Sequence, residues 1–420
     1  MTVSVNNNKI SPIVANQRIK FLDVLRGIAI LFIFMANILS FSGFFSFPDD
    51  ALITGLVFPF DEVLDFIIYT LVDGKFYSIF SLLFGIGCAM QFNKLGNNKS
   101  HFAFFFRKRM FWLLIIGLIH LCLFWLGDIL ALYALLGFVL IWFVNSSNKN
   151  LIKFGIILIL FPIINWLFVH LTKLNYAEFF FNLNTSYYEY YGLPLEEWEG
   201  NKYADFQQFI ANESLSDYFK YNIGNTFIRI GAILEEGRIF KVLGIFLIGL
   251  WVGRKILNED LLNNVKFLKK VAFWGIIIGL PISTFRTYIE FFGGREDFWG
   301  FLKTVAYAFG TVPLALGIAA LLALWYRKSP NGLNIFAPVG KMALSNYIFQ
   351  TFIAVIIFYG IGFGFAGKFG FTVIMGIAIL IFILQIIISK LWLQHYKFGP
   401  IEWVWRQLTY GKKITISQPK

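Results

Sequence analysis

The sequence predicts an all-α integral membrane protein, a bundle of about ten transmembrane helices with an extracytoplasmic helical insertion. Three observations predict it. The chain is 58% hydrophobic and 14% charged, with a mean hydropathy of +0.69, where a soluble domain carries about 25% charged residues. Apolar runs long enough for a ~30 Å hydrocarbon core recur from Gly27 to Lys390. Basic residues collect in short loops while one long loop is acidic, the asymmetry that sets orientation in a bilayer. The formal net charge of +12 belongs to those loops, so it points to the lipid bilayer as partner and not to nucleic acid.

The elements follow in chain order. A polar, basic N-terminus precedes an apolar run from Gly27 to Phe45 with no small-x-small cleavage site, read as an uncleaved first span at 27–45. Segment 57–72, "VFPFDEVLDFIIYTLV", holds Asp61, Glu62 and Asp65. It is expected to be an interfacial or re-entrant helix on the outer side. The second span lies at 75–93. Loop 94–109 carries Lys94, Lys99, Arg107, Lys108 and Arg109 and no acid, so it belongs inside. The 36 apolar residues 110–145 would make one helix of roughly 54 Å. They must turn, at Gly127–Asp128, into spans at 110–126 and 129–145. A fifth span at 153–172 leads into an insertion, 173–238. Its loop 173–236 has four basic and ten acidic residues and is expected as helices capping the outer face. Further spans lie at 240–257, 271–289, 302–326, 342–365 and 371–390. The tail from Lys390 has six basic residues against Glu402. The chain thus divides into a first bundle half 1–172, the insertion 173–238, and a second half 239–420 with a basic cytoplasmic tail. Both termini are expected in the cytoplasm of a bacterium, the chain in its inner membrane.

Two titratable groups stand out in "LLIIGLIHLCLFWLGDILALYALLG". His120 lies about 10 Å below the turn at helical rise, where an intramembrane residue needs a polar partner or a wet cavity. It reads either as an interhelical hydrogen bond or as a catalytic base in a cavity open to the outside, because imidazole moves protons near neutral pH. Asp128 reads as a cap on the next helix or as the group orienting His120. Asn37 lies at the same level. Asp61, Glu62, Glu235, Glu236, Arg238, Arg286 and Glu290 cluster at the outer ends of spans, each as a helix-end charge or together as a substrate pocket. On the inner side, Arg26, Arg107, Lys108 and Arg109 either anchor topology or clamp phosphates. Lys341, Ser345, Asn346 and Gln350 share one face at the start of the ninth span. Cys88 and Cys122 sit in apolar runs and suggest neither a disulfide nor a metal site.

The segments "RIKFLDVLRGIAILFIFMANILSF", "GKFYSIFSLLFGIGCAMQF", "GLIHLCLFWLGDILALYALLG", "GKMALSNYIFQ" and "GPIEWVWRQLTYGK" resemble the YeiB-like family of bacterial inner-membrane proteins, a domain of unknown function, from Arg18 to Lys412. The opening motif also resembles the membrane acyltransferases that include heparan-alpha-glucosaminide N-acetyltransferase, which move an acyl group from cytosolic CoA to an acceptor across the membrane. That resemblance implies acetyl-CoA or another acyl-CoA as donor. Arg26, Arg107, Lys108, Arg109, Lys341 and Asn346 would hold it, and Asn37 would polarise the thioester. The sugar acetyltransferase has its catalytic histidine after the first span. Residues 38–74 contain none here, which leaves His120 as the substitute. The acceptor would be a small molecule, sugar or lipid, with a homodimer as one assembly option. The rival reading is a small-solute transporter or permease, with Gly279-Leu280-Pro281 and Thr311-Val312-Pro313 as helix breaks. On sequence the choice between enzyme and transporter stays open.

Overall fold

The computed structural model describes residues 19–46, 57–198, 200–294 and 296–418. The polar, basic stretch before residue 19 lies outside these residues. Helices carry the whole bundle: α1 (Lys20–Phe41), α2 (Asp61–Val72), α3 (Lys75–Lys94), α4 (Lys99–Leu123), α5 (Leu130–Leu140) and α6 (Asn148–Thr172). The insertion follows, with α7 (Glu178–Tyr191), strands β1 (Leu195–Trp198) and β2 (Asn201–Ala204), α8 (Phe206–Ala211) and α9 (Leu215–Glu235). The second half holds α10 (Arg238–Glu259), α11 (Val265–Phe292), α12 (Asp297–Lys328), α13 (Pro330–Leu333), α14 (Ala337–Lys341), α15 (Ala343–Phe358), α16 (Phe371–His395) and α17 (Pro400–Tyr410).

The protein is an all-α membrane protein, and a helix stands at each of the ten expected spans. Among the described residues, five helical units are long and apolar enough to cross a bilayer, or six if α13–α15, bent by 78°, form one span. The number of crossings is therefore not set at ten. Two physical features separate the rest. α4, α10 and α11 carry charges such as Arg109, Lys241 and Arg286 in their lengths. α5 has 11 residues, about 16 Å, against a core of ~30 Å.

Segment 57–72 forms α2 from Asp61 to Val72. α2 and α3 make one apolar unit of 34 residues, Asp61–Lys94, about 50 Å long at helical rise. α2 thus runs on from α3 in one apolar unit, longer than a ~30 Å hydrocarbon core. The break falls at Gly74, whose φ of +80° is left-handed and suits glycine. A β-carbon there would press on Thr311 Cγ2 at 2.7 Å.

Helix crossings are built on small residues, as in lipid, where close backbone approach replaces hydrophobic drive. α3 packs along α10 with Gly85 against Phe246 O and Gly249 against Leu82 O. At the end of the bundle carrying loop 94–109, hereafter the basic end, Gly27 of α1 meets Phe336 and Gly340 of α14 meets Asp23. No β-carbon fits at either.

The insertion contains a short antiparallel hairpin, Leu195 opposite Ala204 and Trp198 opposite Asn201, as well as the expected helices. It is docked on the opposite, insertion end. Phe209, Tyr218 and Tyr221 share a core with Phe41, Trp125 and Tyr359. Tyr218 Oη donates to Phe124 O at 2.5 Å, and Arg229 donates to Asp128 O at 3.1 and 3.3 Å.

Candidate functional site: a cavity through the bundle

A cavity of about 860 Å³ runs through the helices, its wall reaching from Arg26, Lys94 and Arg406 at the basic end to Arg238, Arg286 and Glu290 at the insertion end. That lies in the upper part of the range of about 300–1,000 Å³ usual for small-molecule sites. Its middle is apolar and aromatic, with Phe80, Phe84, Met110 and Leu113 on the wall, while Asn37 and Tyr133 add polar atoms. Tyr133 Oη is 2.5 Å from Ser81 Oγ and donates to Tyr77 O at 3.1 Å.

The basic mouth is lined by Arg26, Lys94, Arg109, Lys341 and Arg406 against two carboxylates, Asp23 and Glu402. Asp23 pairs with Arg26 at 3.0 Å. Glu402 is spent on a helix start. Its Oε1 accepts from Leu344 N at 2.7 Å and Ser345 N at 3.1 Å, and Ser345 Oγ donates to its Oε2 at 2.5 Å. Burial pushes the Glu402 carboxyl above its ordinary range, against the opposing pull of these bonds. α17 is thereby pinned under α15, and Trp405 stacks on Arg109 with the guanidinium carbon 4.0 Å from the ring centre.

The insertion end gathers a second charged group. Arg286, 7% exposed, donates to Asp73 Oδ2 at 2.7 Å and Tyr69 Oη at 2.8 Å. Arg238 pairs with Glu236 and Lys303 with Glu290 at 2.5 Å. The hydroxyls of Tyr77 and Tyr307 share a short hydrogen bond. Glu235 also lines the wall. Partial burial, then the neighbouring Glu236, lifts its carboxyl above the ordinary range.

The expected residues thus fall into two groups. Arg26, Asn37, Arg109, Lys341, Arg238 and Arg286 meet on the cavity wall. His120 and Asp128 do not line it. His120 is 2% exposed. Its Nδ1 donates to Asp128 Oδ1 at 2.9 Å, and its Nε2 lies 2.9 Å from Thr351 Oγ1. Asp128 Oδ2 accepts from Ala131 N at 2.8 Å, capping α5. The triad ties α4, α5 and α15 together one layer behind Tyr347, which does line the wall and whose ring centre is 5.2 Å from that of His120.

The other positions lie off the wall. Arg107 is exposed and Lys108 half-buried. Asn346 is buried in a ladder with Ser389 and Gln385 between α15 and α16. Asp61, expected in the pocket, instead caps α16: its Oδ1 accepts from Thr372 N at 3.0 Å and from the Thr372 hydroxyl. Its neighbour Glu62 is exposed.

Sequence reasoning missed Tyr69, Asp73, Tyr77, Tyr307 and the fully buried Lys75 and Lys241. Lys241, a cation followed by twelve uncharged residues inside an expected span, carried a readable signal.

Residues 252–412 match the family model described as a protein of unknown function (DUF418). The chain is similar to the uncharacterized protein YxaH of Bacillus subtilis (strain 168), 27% identical over 96% of this chain and 97% of that protein. It is similar to the uncharacterized protein YeiB of Escherichia coli (strain K12), 28% identical over 92% and 95% of the two. An uncharacterized 39.9 kDa protein in the amylase 3' region of Bacillus acidopullulyticus is 28% identical over 96% and 97%.

Proposed function

For this chain, a YeiB-like member of the DUF418 family, we propose transmembrane acyl transfer, with the cavity as the path between a cytosolic acyl-CoA and an acceptor at the insertion end. One observation carries the reading. A single cavity has a cation-rich mouth at one end, a separate charged cluster at the other, and an apolar middle. Arg26, Arg109, Lys341 and Arg406 suit the phosphates of a CoA donor. The apolar middle suits an uncharged arm and acyl group.

In the proposed step an acceptor hydroxyl or amine attacks the thioester carbonyl. The new C–O or C–N bond forms, the C–S bond breaks, and CoA leaves as its thiol. The acceptor proton passes to a wall carboxylate and on to the departing sulfur. Glu235 is the carboxylate for this, because Glu236 and Glu290 are held by Arg238 and Lys303 and a raised carboxyl suits a general base at neutral pH. His120, whose two ring nitrogens are engaged behind the wall, acts as a positioning residue for Tyr347 and the α4–α5 turn. Asn37 on the wall is the donor for the carbonyl oxygen.

Cations at both ends also favour a second reading, passage of an intact anion. Proteoliposomes holding the purified chain and acyl-labelled acetyl-CoA separate them. Label recovered on an acceptor, or as free acetate with released thiol, supports transfer. Vectorial movement of an anion with no thiol release supports transport.

A further inference from the structure

Among the described residues, two fully buried cations at the insertion end have no carboxylate partner. Asp73, Glu236 and Glu290 are taken by Arg286, Arg238 and Lys303. Lys75 and Lys241 are fully buried. Each donates to a backbone carbonyl and not to a carboxylate: Lys75 Nζ to Tyr69 O at 3.4 Å and Lys241 Nζ to Tyr307 O at 3.0 Å. Arg229 likewise spends its guanidinium on Asp128 O. Lys75 and Lys241 are thus the two buried cations that no described carboxylate pairs, while Glu235 is a further carboxylate on the cavity wall. Lys241 lies in the field of the Arg286, Lys75 and Arg238 cations and of the Asp73 carboxylate. A buried cation without a counter-charge is costly, and two in one region suit a negative group bound beside them.

Arg286 marks where that group sits. Its guanidinium carbon lies 5.0 Å from the Tyr69 ring centre and 4.8 Å from that of Tyr307. Two of its nitrogens are used on Asp73 and Tyr69. The third, Nε, is buried with no hydrogen-bond partner. A buried donor left unmade costs about 1–3 kcal/mol, and this arginine lines the cavity, so its Nε–H is a donor that an acceptor oxygen bound against the guanidinium would satisfy. The Tyr77 and Tyr307 hydroxyls line the same end.

We infer that the insertion end of the cavity binds an anionic oxygen group, a phosphate or a carboxylate, on the Arg286 guanidinium between Tyr69 and Tyr307, with Lys75 and Lys241 beneath supplying countercharge. Its role as the acceptor's handle rests on the acyl-transfer reading, but the site itself does not. The acceptor is then an anionic molecule: a phosphate-bearing lipid headgroup, or a free phosphorylated or carboxylated solute.

The test is calorimetry on the purified full chain, with inorganic phosphate and dihexanoyl phosphatidic acid as probes. Saturable binding of at least one is expected. The charge-neutral double change Asp73→Asn with Arg286→Gln should weaken it about tenfold or more. Lys241→Met, which removes a buried charge and strands no side-chain polar group, keeps the fold and should weaken it about three- to tenfold. Changing Arg26 and Arg109 to glutamine at the other mouth should leave this site unchanged. Tighter binding of the lipid would assign a headgroup, and equal binding a soluble anion. No saturable binding of either probe overturns the inference. So does binding abolished by the Arg26/Arg109 pair and untouched by the Arg286 pair. Thiol release from acyl-CoA, measured separately, tests the acyl-transfer reading, so the two can fail independently.

Discussion

Replacing His120 tests whether the chemistry belongs to the cavity wall or to the layer behind it. The ring is 2% exposed and makes two hydrogen bonds of 2.9 Å, to Asp128 and Thr351. In His120→Gln one amide group can keep one partner. The other is stranded, at a cost of about 1–3 kcal/mol. His120→Ala strands both and leaves the volume of the ring empty, so about 3–5 kcal/mol is expected. Thr351→Val breaks only the Nε2 contact and should resemble the glutamine variant. Unfolding of a large membrane protein is often irreversible, so the assay is the half-life of the folded, monodisperse protein at fixed temperature. The expected order is wild type, then glutamine and valine variants together, then alanine. Thiol release by the folded glutamine variant should stay within about tenfold of wild type. A variant that keeps wild-type half-life yet loses 10²–10⁴-fold in rate, the usual loss for a general base, would refute the reasoning and return His120 to the reacting centre.

Other outcomes follow from the same geometry. Arg109→Gln and Lys341→Gln each remove a charged contact at the basic mouth. Each should raise KM for acyl-CoA about tenfold with kcat little changed, measured by steady-state thiol release. Glu235→Gln should lower kcat about 10²–10⁴-fold. In wild type, the rate should climb as pH rises through the elevated Glu235 value and level off above it, because only the ionised carboxylate accepts a proton. The variant should lack that acidic limb. A cysteine placed in loop 94–109 should be shielded from an impermeant thiol reagent in intact cells, while one at 196 or 197 should react. Reaction at 94–109 would invert the expected orientation.

How much of this was legible in the sequence depended on which physical signal each residue carries. The helices were readable because apolar runs of span length leave few other structures. The α4–α5 turn was readable because 36 apolar residues exceed the bilayer. The pairing of His120 with Asp128 was one of two open readings, since the turn brings residues eight apart together. Thr351 was invisible, because 231 positions separate it from His120 and nothing local marks a threonine as a histidine's partner. Arg238 and Arg286 were readable as charges at span ends. Tyr77, Tyr133 and Tyr307 were not, because a tyrosine in an apolar run reads equally well as core, interface or cavity wall. Asp61 misled for the opposite reason. It lay at the right level and carried the right charge, but its carboxylate closes the start of α16, a role set by a partner over three hundred residues away. The hairpin at Leu195–Ala204 was hidden by an aromatic, acidic composition with no sustained alternation.

The most direct test of the whole account is a structure of the purified chain with acetyl-CoA at saturating concentration. The account predicts density entering from the basic mouth, its phosphates among Arg26, Arg109, Lys341 and Arg406 and its acyl end in the apolar middle toward Asn37. A cavity empty of CoA, or CoA density confined to the insertion end, would contradict it.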